Sequence, residues 1–437
     1  MAMQQYLERY AEIEASRFDN LDGLEFNYHH LLCIPAYAES PDFLHQLIAQ
    51  SKEQSVLIIL VVNARAEAPP AQISLSREIA TYLKQQYPSL GQFADNIQLL
   101  KMTDTIDILL VERCMPGYYL QGDDGVGLAR KIACDIACRL ITLGKIKNHW
   151  IHSTDADAIL PADYFSTATA LDTTKTSAAV YPFHHTPHEN EKVQQAQTLY
   201  DLSMDYYVAG LKWAESCWAY HTIGSTLLIN PEHYALARGF PKRQAGEDFY
   251  LLNKLSKIGD ILTLNSTPIA LASRLSDRVP FGTGPALNKI MLMQSPLEEF
   301  LFYHPHCFVY LKGWLAFVHT LQAGKDIVLS AAIIEQFVHA NEKYAALDSQ
   351  LLMNCLESLG ASKALAHAFS HSKSDAVLKR HIQNWFDGFI TLKFIHWMRD
   401  NCLPSVPAST VKTIQHEKNL PFLSCLAFED YAPVPPA

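Results

Sequence analysis

The chain has 437 residues, with 35 Lys and Arg against 45 Asp and Glu, so its formal net charge is −10. Hydrophobic residues make up 49% and charged residues 18%, which is typical of a globular protein and excludes a largely disordered one. The length predicts two or more domains. The acidic balance gives no indication of nucleic-acid binding, although it allows a local basic pocket.

Nine cysteines are scattered along the chain, and none forms a CxxC pair. Cys134 and Cys138 stand four positions apart on a predicted helix, where they form either half of a metal site or two ordinary buried thiols. No apolar run approaches the roughly 20 residues that span a bilayer, and the first residues lack the apolar core of a signal peptide. We therefore expect a cytoplasmic protein with reduced thiols and no transmembrane segment.

Strand and helix patterns alternate along the first part of the chain, after an amphipathic helix and linker at 1–27. VLIILVVN is rich in β-branched residues, which predicts a strand buried on both faces of a parallel sheet. The strand candidates lie at 29–37, 56–63, 106–114, 149–154, 177–185, 221–230 and 260–266. The helix candidates lie at 42–54, 74–87 and 125–146. Their alternation predicts a three-layer α/β architecture.

The pattern changes near residue 288, beyond which only helical spacing of apolar residues recurs. We therefore expect an α/β domain over 28–285 and a mainly α-helical C-terminal domain over 286–437.

Polar side chains follow several of the predicted strands. Ligands bind outside the carboxyl ends of parallel strands in open α/β sheets, so these side chains are candidates for a site. Tyr37 follows the first strand and could stack on a base, and Arg130 near the start of a helix could pair with phosphate. Asp155 and Asp157 follow the fourth strand and could hold Mg²⁺ or Mn²⁺. The alternative is that the two aspartates are turn residues or helix N-caps.

Five segments in this order, IPAYAE, VLIILVVN, GLARKIACDIA, STDADAILPADY and AGEDFYLL, resemble those of family 2 glycosyltransferases over about residues 28–260. The resemblance implies a GT-A fold, the Rossmann-like form that binds nucleotide sugars. It also implies a nucleotide-sugar donor, with a UDP-sugar as the default, and a divalent cation, Mn²⁺ or Mg²⁺. Inverting transfer to an acceptor hydroxyl is the implied reaction.

The resemblance also assigns roles residue by residue. The ends of the first two strands would contact the nucleobase and ribose, through Pro35, Ala36, Tyr37, Glu39 and Asn63. Asn63 departs from the family, which usually has Asp there.

The remaining matches concern the diphosphate and the reaction. Asp155 and Asp157 match the DxD motif that binds the metal and the diphosphate, and Arg130 matches an arginine in the preceding helix. Glu247 and Asp248 match a catalytic ED pair in which Asp248 is the base; the alternative for Asp248 is an N-cap of the following helix.

Three further clusters have open interpretations. The loop at 273–286 holds Arg274 and Arg278, which could bind the donor diphosphate or an anionic acceptor, or form a turn with an internal Arg–Asp pair. The histidines at 184–188 could line an acceptor pocket, lie in a solvated loop or bind zinc. The aromatic residues at 205–221 could stack on sugar rings or pack in a core.

The sequence thus predicts a metal-dependent, inverting glycosyltransferase. Three alternatives remain: a retaining transferase, a sugar nucleotidyltransferase, and a protein that binds nucleotide sugars without catalysis.

Overall fold

The structure, a computed structural model, describes residues 2–18, 27–51, 54–275, 282–325 and 327–431. The chain divides into two compact units, which are Met1–Pro187 with Thr222–Gly282, and His188–His221 with Thr283–Ala437. This division differs from the expected one in two respects. The N-terminal residues belong to the α/β unit, and residues 188–221 belong to the other unit.

The strands are β1 (His30–Ala36), β2 (Val56–Asn63), β3 (Ser89–Ala94), β4 (Ile97–Lys101), β5 (Ile106–Arg113), β6 (Ile151–Ser153), β7 (Ala158–Ile159), β8 (Thr176–Val180), β9 (Phe183–His185), β10 (Leu227–Ile229), β11 (Asp260–Thr263), β12 (Ile269–Leu271), β13 (Leu301–Phe302) and β14 (Val406–Pro407).

The helices are α1 (Ala2–Arg9), α2 (Phe43–Ser51), α3 (Pro70–Gln86), α4 (Val126–Thr142), α5 (Glu191–Trp213), α6 (Pro231–Leu236), α7 (Glu247–Leu255), α8 (Thr283–Met291), α9 (Pro296–Glu299), α10 (His306–Thr320), α11 (Ala331–His339), α12 (Ser349–Ser358), α13 (Ala361–Ser370), α14 (Asp375–Trp385), α15 (Gly388–Asn401) and α16 (Ala408–Thr413).

A nine-stranded mixed sheet forms the centre of the first unit, in the order β11-β8-β10-β6-β1-β2-β5-β4-β3. β6, β1, β2 and β5 are parallel to one another, whereas β10 runs antiparallel to both of its neighbours. From β1 the chain passes to β2 on one side and later to β6 on the other. The strand order therefore reverses between β1 and β6, which is the point where open α/β sheets bind ligands.

Helices cover both faces of the parallel strands, as the uninterrupted apolar runs predict. Every residue of β2 is buried. On one face, Leu32 and Ile58 share a core with Leu83 of α3. On the other face, Cys33 lies against Cys134 of α4. Mixed α/β architecture is therefore present as expected.

A second, three-stranded sheet in the order β7-β12-β9 was not predicted from the sequence. β7 begins directly after Asp157, and β12 ends shortly before Arg274. Because β12 pairs antiparallel with β7, it brings these two segments together.

The N-terminal segment packs on α4 through a buried polar network. Asp135 accepts hydrogen bonds from the hydroxyl of Tyr6, the backbone N–H of Glu12 and the ammonium of Lys131, at 2.5, 2.7 and 2.7 Å. Each buried charge thus has partners, which such groups require.

In the described residues of the second unit, helices are the regular structure apart from the short pair β13–β14. Tyr206 of α5 lies with its ring centroid 5.5 Å from that of Phe308, and its hydroxyl donates to the carbonyl of Tyr303 at 2.6 Å. This part of the aromatic stretch at 205–221 therefore packs in a core. Among the described residues of both units, no helix has the length and apolar character needed to cross a membrane.

Candidate functional site

Five acidic residues collect near the carboxyl ends of β1 and β6, and we call them the carboxylate cluster. Glu39 follows β1, Asp155 and Asp157 follow β6, and Glu247 and Asp248 form the start of α7. Two arginines join them into one group. The cluster thus brings together the predicted DxD and ED motifs.

Arg130 of α4 connects the two motifs from inside the protein, where it is only 3% exposed. Its Nη2 donates to Asp155 Oδ1 at 2.6 Å, its Nε to Glu247 Oε1 at 3.0 Å, and its Nη1 to Ser153 Oγ at 3.2 Å. Burial acts to lower the pKa of this guanidinium, but Asp155 and Glu247 hold the pKa above its usual value. Arg130 is therefore charged and has protein partners along its whole fork.

Gly224 makes room for this arginine. A Cβ atom at Gly224 would lie 2.4 Å from Nη2 of Arg130, which is closer than real contacts allow. A glycine before β10 is thus required for the guanidinium to occupy this position.

Arg274 closes the other side of the cluster. Its two terminal nitrogens each donate to one carboxylate oxygen of Glu39 at 2.8 Å, in the bidentate geometry that suits a guanidinium. Nη2 also lies 3.0 Å from Asp157 Oδ2. The side chain is 37% exposed, so Arg274 has access to solvent that Arg130 lacks. Arg278, the other predicted binding residue of this loop, lies outside the described residues.

Asp157 is part-buried among like and opposite charges. Burial raises the pKa of Asp157 to about 6, with Asp155 and Glu39 adding to the effect and Arg274 opposing it. A cation near this carboxylate would relieve the repulsion.

The side chains of the carboxylate cluster are chemically suitable ligands for a divalent cation. Their oxygens are the hard ligands that Mg²⁺ and Mn²⁺ take, and Mg²⁺ often uses one or two carboxylates and completes its shell with phosphate and water. Within the described residues, no group of three or more His, Cys, Asp or Glu side chains stands close enough to hold a metal by itself. Asp155 and Asp157 are thus a pair that could hold a metal together with a ligand.

Asp248 has a raised pKa. Burial and the neighbouring Glu247 raise its pKa to about 7, and its Oδ1 accepts the backbone N–H of Phe249 at 2.7 Å. The N-cap of α7 is Gly246, with φ of 72°, so the interpretation of Asp248 as the N-cap is wrong.

The loop after β1 is held against α3 and β2. The Tyr37 hydroxyl donates to Gln72 Oε1 at 2.5 Å. Asn63 donates through Nδ2 to the carbonyl of Ala36 at 3.2 Å and so links the ends of β1 and β2. Pro35 and Ala36 are buried within β1.

Two predicted metal interpretations find no support. Cys134 and Cys138 are buried free thiols, and neither they nor the histidines at 184–188 belong to a group that could hold a metal among the described residues. His184 and His185 lie in β9, paired with β12.

Ser153 and Gly224, and the partners of Arg274, were not identified from the sequence. A polar residue at the end of β6 and a glycine before β10 carry no distinctive signal on their own. The arginine loop was recognisable, but nothing in the local sequence connects Arg274 with Glu39, 235 positions away.

The chain matches no protein-family profile and no curated protein. Its resemblance to glycosyltransferases therefore depends on the five sequence segments alone.

Proposed function

We propose that this protein is a glycosyltransferase that binds a nucleotide sugar at the carboxyl ends of β1 and β6. The observation that carries the proposal is the carboxylate cluster at the reversal of strand order, where Asp157 and Asp248 both have raised pKa values. Perturbed carboxylates in this position are typical of functional sites. The donor is a UDP-sugar by default, and its base and ribose would lie beside Tyr37 and Asn63.

The GT-A form of the Rossmann-like fold is part of this proposal. Four parallel strands with a reversal of order, and a DxD turn directly after the fourth of them, support it. All nine cysteines are free, which agrees with the reducing cytoplasm as the proposed location.

Asp155 and Asp157 would hold Mn²⁺ or Mg²⁺, which supplies positive charge for the departing diphosphate. Arg274, with its partly exposed guanidinium, would exchange Asp157 for a phosphate oxygen of the donor. The planar guanidinium of Arg274 can bind either a carboxylate or a phosphate group.

Asp248 would take the proton from the acceptor hydroxyl. As the acceptor oxygen bonds to the anomeric carbon, the bond from that carbon to the diphosphate oxygen breaks. Attack from the face opposite the diphosphate inverts the configuration. A pKa near 7 allows Asp248 to be deprotonated at neutral pH and still basic enough to accept a proton.

The direct test is calorimetric titration of the full chain with UDP, with and without Mn²⁺, followed by assays of UDP release from UDP-sugars. We expect UDP to bind in the presence of Mn²⁺ and to raise the melting temperature. Absence of UDP binding under both conditions, together with no turnover of any nucleotide sugar, would overturn the proposal.

A second candidate is a protein that binds nucleotide sugars without catalysis. The pairing of Asp155 with Arg130 and of Asp157 with Arg274 favours it, because ion-paired carboxylates are less available to a catalytic cation. Binding of UDP without any effect of Mn²⁺, and with no UDP release from any donor, would support this candidate. Product stereochemistry separates inversion from retention, and pyrophosphate release from a nucleoside triphosphate identifies a nucleotidyltransferase.

A further inference from the structure

Two adjacent buried cations on α4, Arg130 and Lys131, face different parts of the first unit. Lys131 donates to Asp135 at 2.7 Å and to the hydroxyl of Tyr6 at 2.8 Å, so it joins α4 to the N-terminal segment. Arg130 instead contacts the carboxylate cluster. The two residues share a helix and a similar degree of burial, at 3% and 4% exposed, but only one touches the proposed site.

Arg130 contacts two segments that are far apart in sequence, the turn after β6 and the start of α7. Asp155 is 25 positions away and follows β6, whereas Glu247 is 117 positions away and begins α7. A guanidinium has five N–H groups in a rigid plane, so fixing one carboxylate on it also fixes the direction of the other.

We propose that Arg130 is a positioning residue, which holds Asp155 beside Asp157 for cation binding and keeps Glu247 from acting as the base. This inference rests on the proposed function and deepens it. It changes two roles predicted from the sequence. Arg130 would not contact the donor phosphate itself, and Glu247 would serve the site through Arg130.

The contrast between Glu247 and Asp248 supports this division of roles. Glu247 is 4% exposed, and its Oε1 accepts a hydrogen bond from Nε of the buried Arg130 at 3.0 Å. Asp248 has no ion pair in the described part of the chain and is less deeply buried.

The test compares Arg130→Gln and Arg130→Lys with Lys131→Met, a matched control that removes the adjacent buried cation. The affinity for UDP in the presence of Mn²⁺ is measured by calorimetry at a temperature where circular dichroism shows each variant to be folded. We expect both Arg130 variants to bind about 10- to 100-fold more weakly, as loss of a residue behind a metal ligand usually does. Lys131→Met should lower the melting temperature but change the affinity less than twofold.

A double-mutant cycle tests the connection to Glu247. Glu247→Gln alone should weaken Mn²⁺-dependent UDP binding, and it should add nothing in the Arg130→Gln background, because both changes break the same contact. Additive effects would contradict the inference. Equal loss of affinity in Lys131→Met and Arg130→Gln would also contradict it, because the role would then be structural.

Turnover provides the test if the Arg130 variants fail to fold. Glu247→Gln should keep turnover within about tenfold to 100-fold of the wild type, whereas Asp248→Asn should lose more. If Glu247→Gln is as inactive as Asp248→Asn, the inference falls while the proposed function stands. If the wild type binds no UDP with Mn²⁺ and turns over no nucleotide sugar, both fall together.

Discussion

Asp157 has charged neighbours of both signs in the site. Its carboxylate is part-buried near Asp155 and Glu39, and Arg274 lies 3.0 Å from its Oδ2. A divalent cation would add positive charge beside these carboxylates. We therefore expect Asp157 to respond to a metal.

Asp157→Asn should abolish the Mn²⁺-dependent part of UDP binding. The amide has one oxygen and no charge, so it is a poor ligand for a hard cation. We expect the rise in melting temperature with Mn²⁺ and UDP to disappear, as measured by differential scanning fluorimetry. Asp172→Asn, an exposed aspartate in a turn, is the control and should keep the rise. An unchanged rise in Asp157→Asn would count against a cation at this residue.

The pKa of Asp248 predicts the pH dependence of turnover. The base must be deprotonated, and its folded-state pKa is raised to about 7. The rate of turnover should therefore fall about tenfold for each pH unit below that pKa and level off above it. Initial rates from pH 5 to 8.5 with saturating donor would check this. A rate that increases as the pH falls would exclude Asp248 as the proton acceptor.

At the scale of single elements, α4 depends on two glycines near its start. A Cβ at Gly127 would lie 2.2 Å from the carbonyl oxygen of Pro241, and one at Gly125 would lie 2.4 Å from Cα of Gln244. The backbone N–H of Gly127 also donates to the carbonyl of Arg243 at 3.0 Å. The segment at 241–244, which leads into α7, thus packs against the start of α4.

Gly127→Ala should move this segment and with it Asp248. The methyl group meets backbone atoms that cannot rotate away, so we expect a loss of about 1–3 kcal/mol in the free energy of unfolding. Turnover should also fall. Gly144→Ala, beyond the other end of α4, is the control. A Cβ there meets no neighbouring atom, but the φ of 69° disfavours alanine. This variant should therefore lower stability without changing turnover per folded molecule. Urea unfolding and donor hydrolysis measure the two effects. Unaltered turnover in Gly127→Ala would contradict the coupling.

Elements differed in how well the sequence predicted them. β2 begins and ends where its apolar run does, because a strand buried on both faces has no polar alternation to interrupt it. α4 was expected over 125–146 and covers Val126–Thr142. The hairpin of β3 and β4 was missed, since β3 has no buried residue and no pattern of its own. β7 has two residues, which is too short for any periodicity.

The same limits apply to the site. The position of Asp155 and Asp157 after a strand was predictable, because strand ends can be located from burial patterns. Arg130 and Arg274 were candidates from the sequence, but their ion pairs with Asp155 and Asp157 were not predictable, because pairs between distant segments depend on tertiary contacts.

At the scale of the whole chain, the path of α5 is the least predictable feature. Residues 188–221 leave the α/β unit and return to it, yet they belong to the compact unit formed with residues 283–437. Sequence order placed them in the α/β domain, because a helix pattern does not reveal which core it faces. Their buried side chains in α5 include Val193, Leu199, Leu202, Tyr206 and Leu211.

Truncation after Gly282 should therefore fail to give a well-behaved α/β unit. It removes α8 and α10, which pack on α5, and leaves an apolar helix face in water. Burial of each large apolar side chain contributes about 1.5–3 kcal/mol, so the exposed face should bind a hydrophobic dye and promote association. The control is the same truncation with residues 188–221 replaced by a Gly-Ser linker of equal length. That variant should be monomeric by size-exclusion chromatography and free of dye binding. If the two truncated chains behave alike, α5 does not depend on the C-terminal helices for its cover, and the division into these two units is wrong.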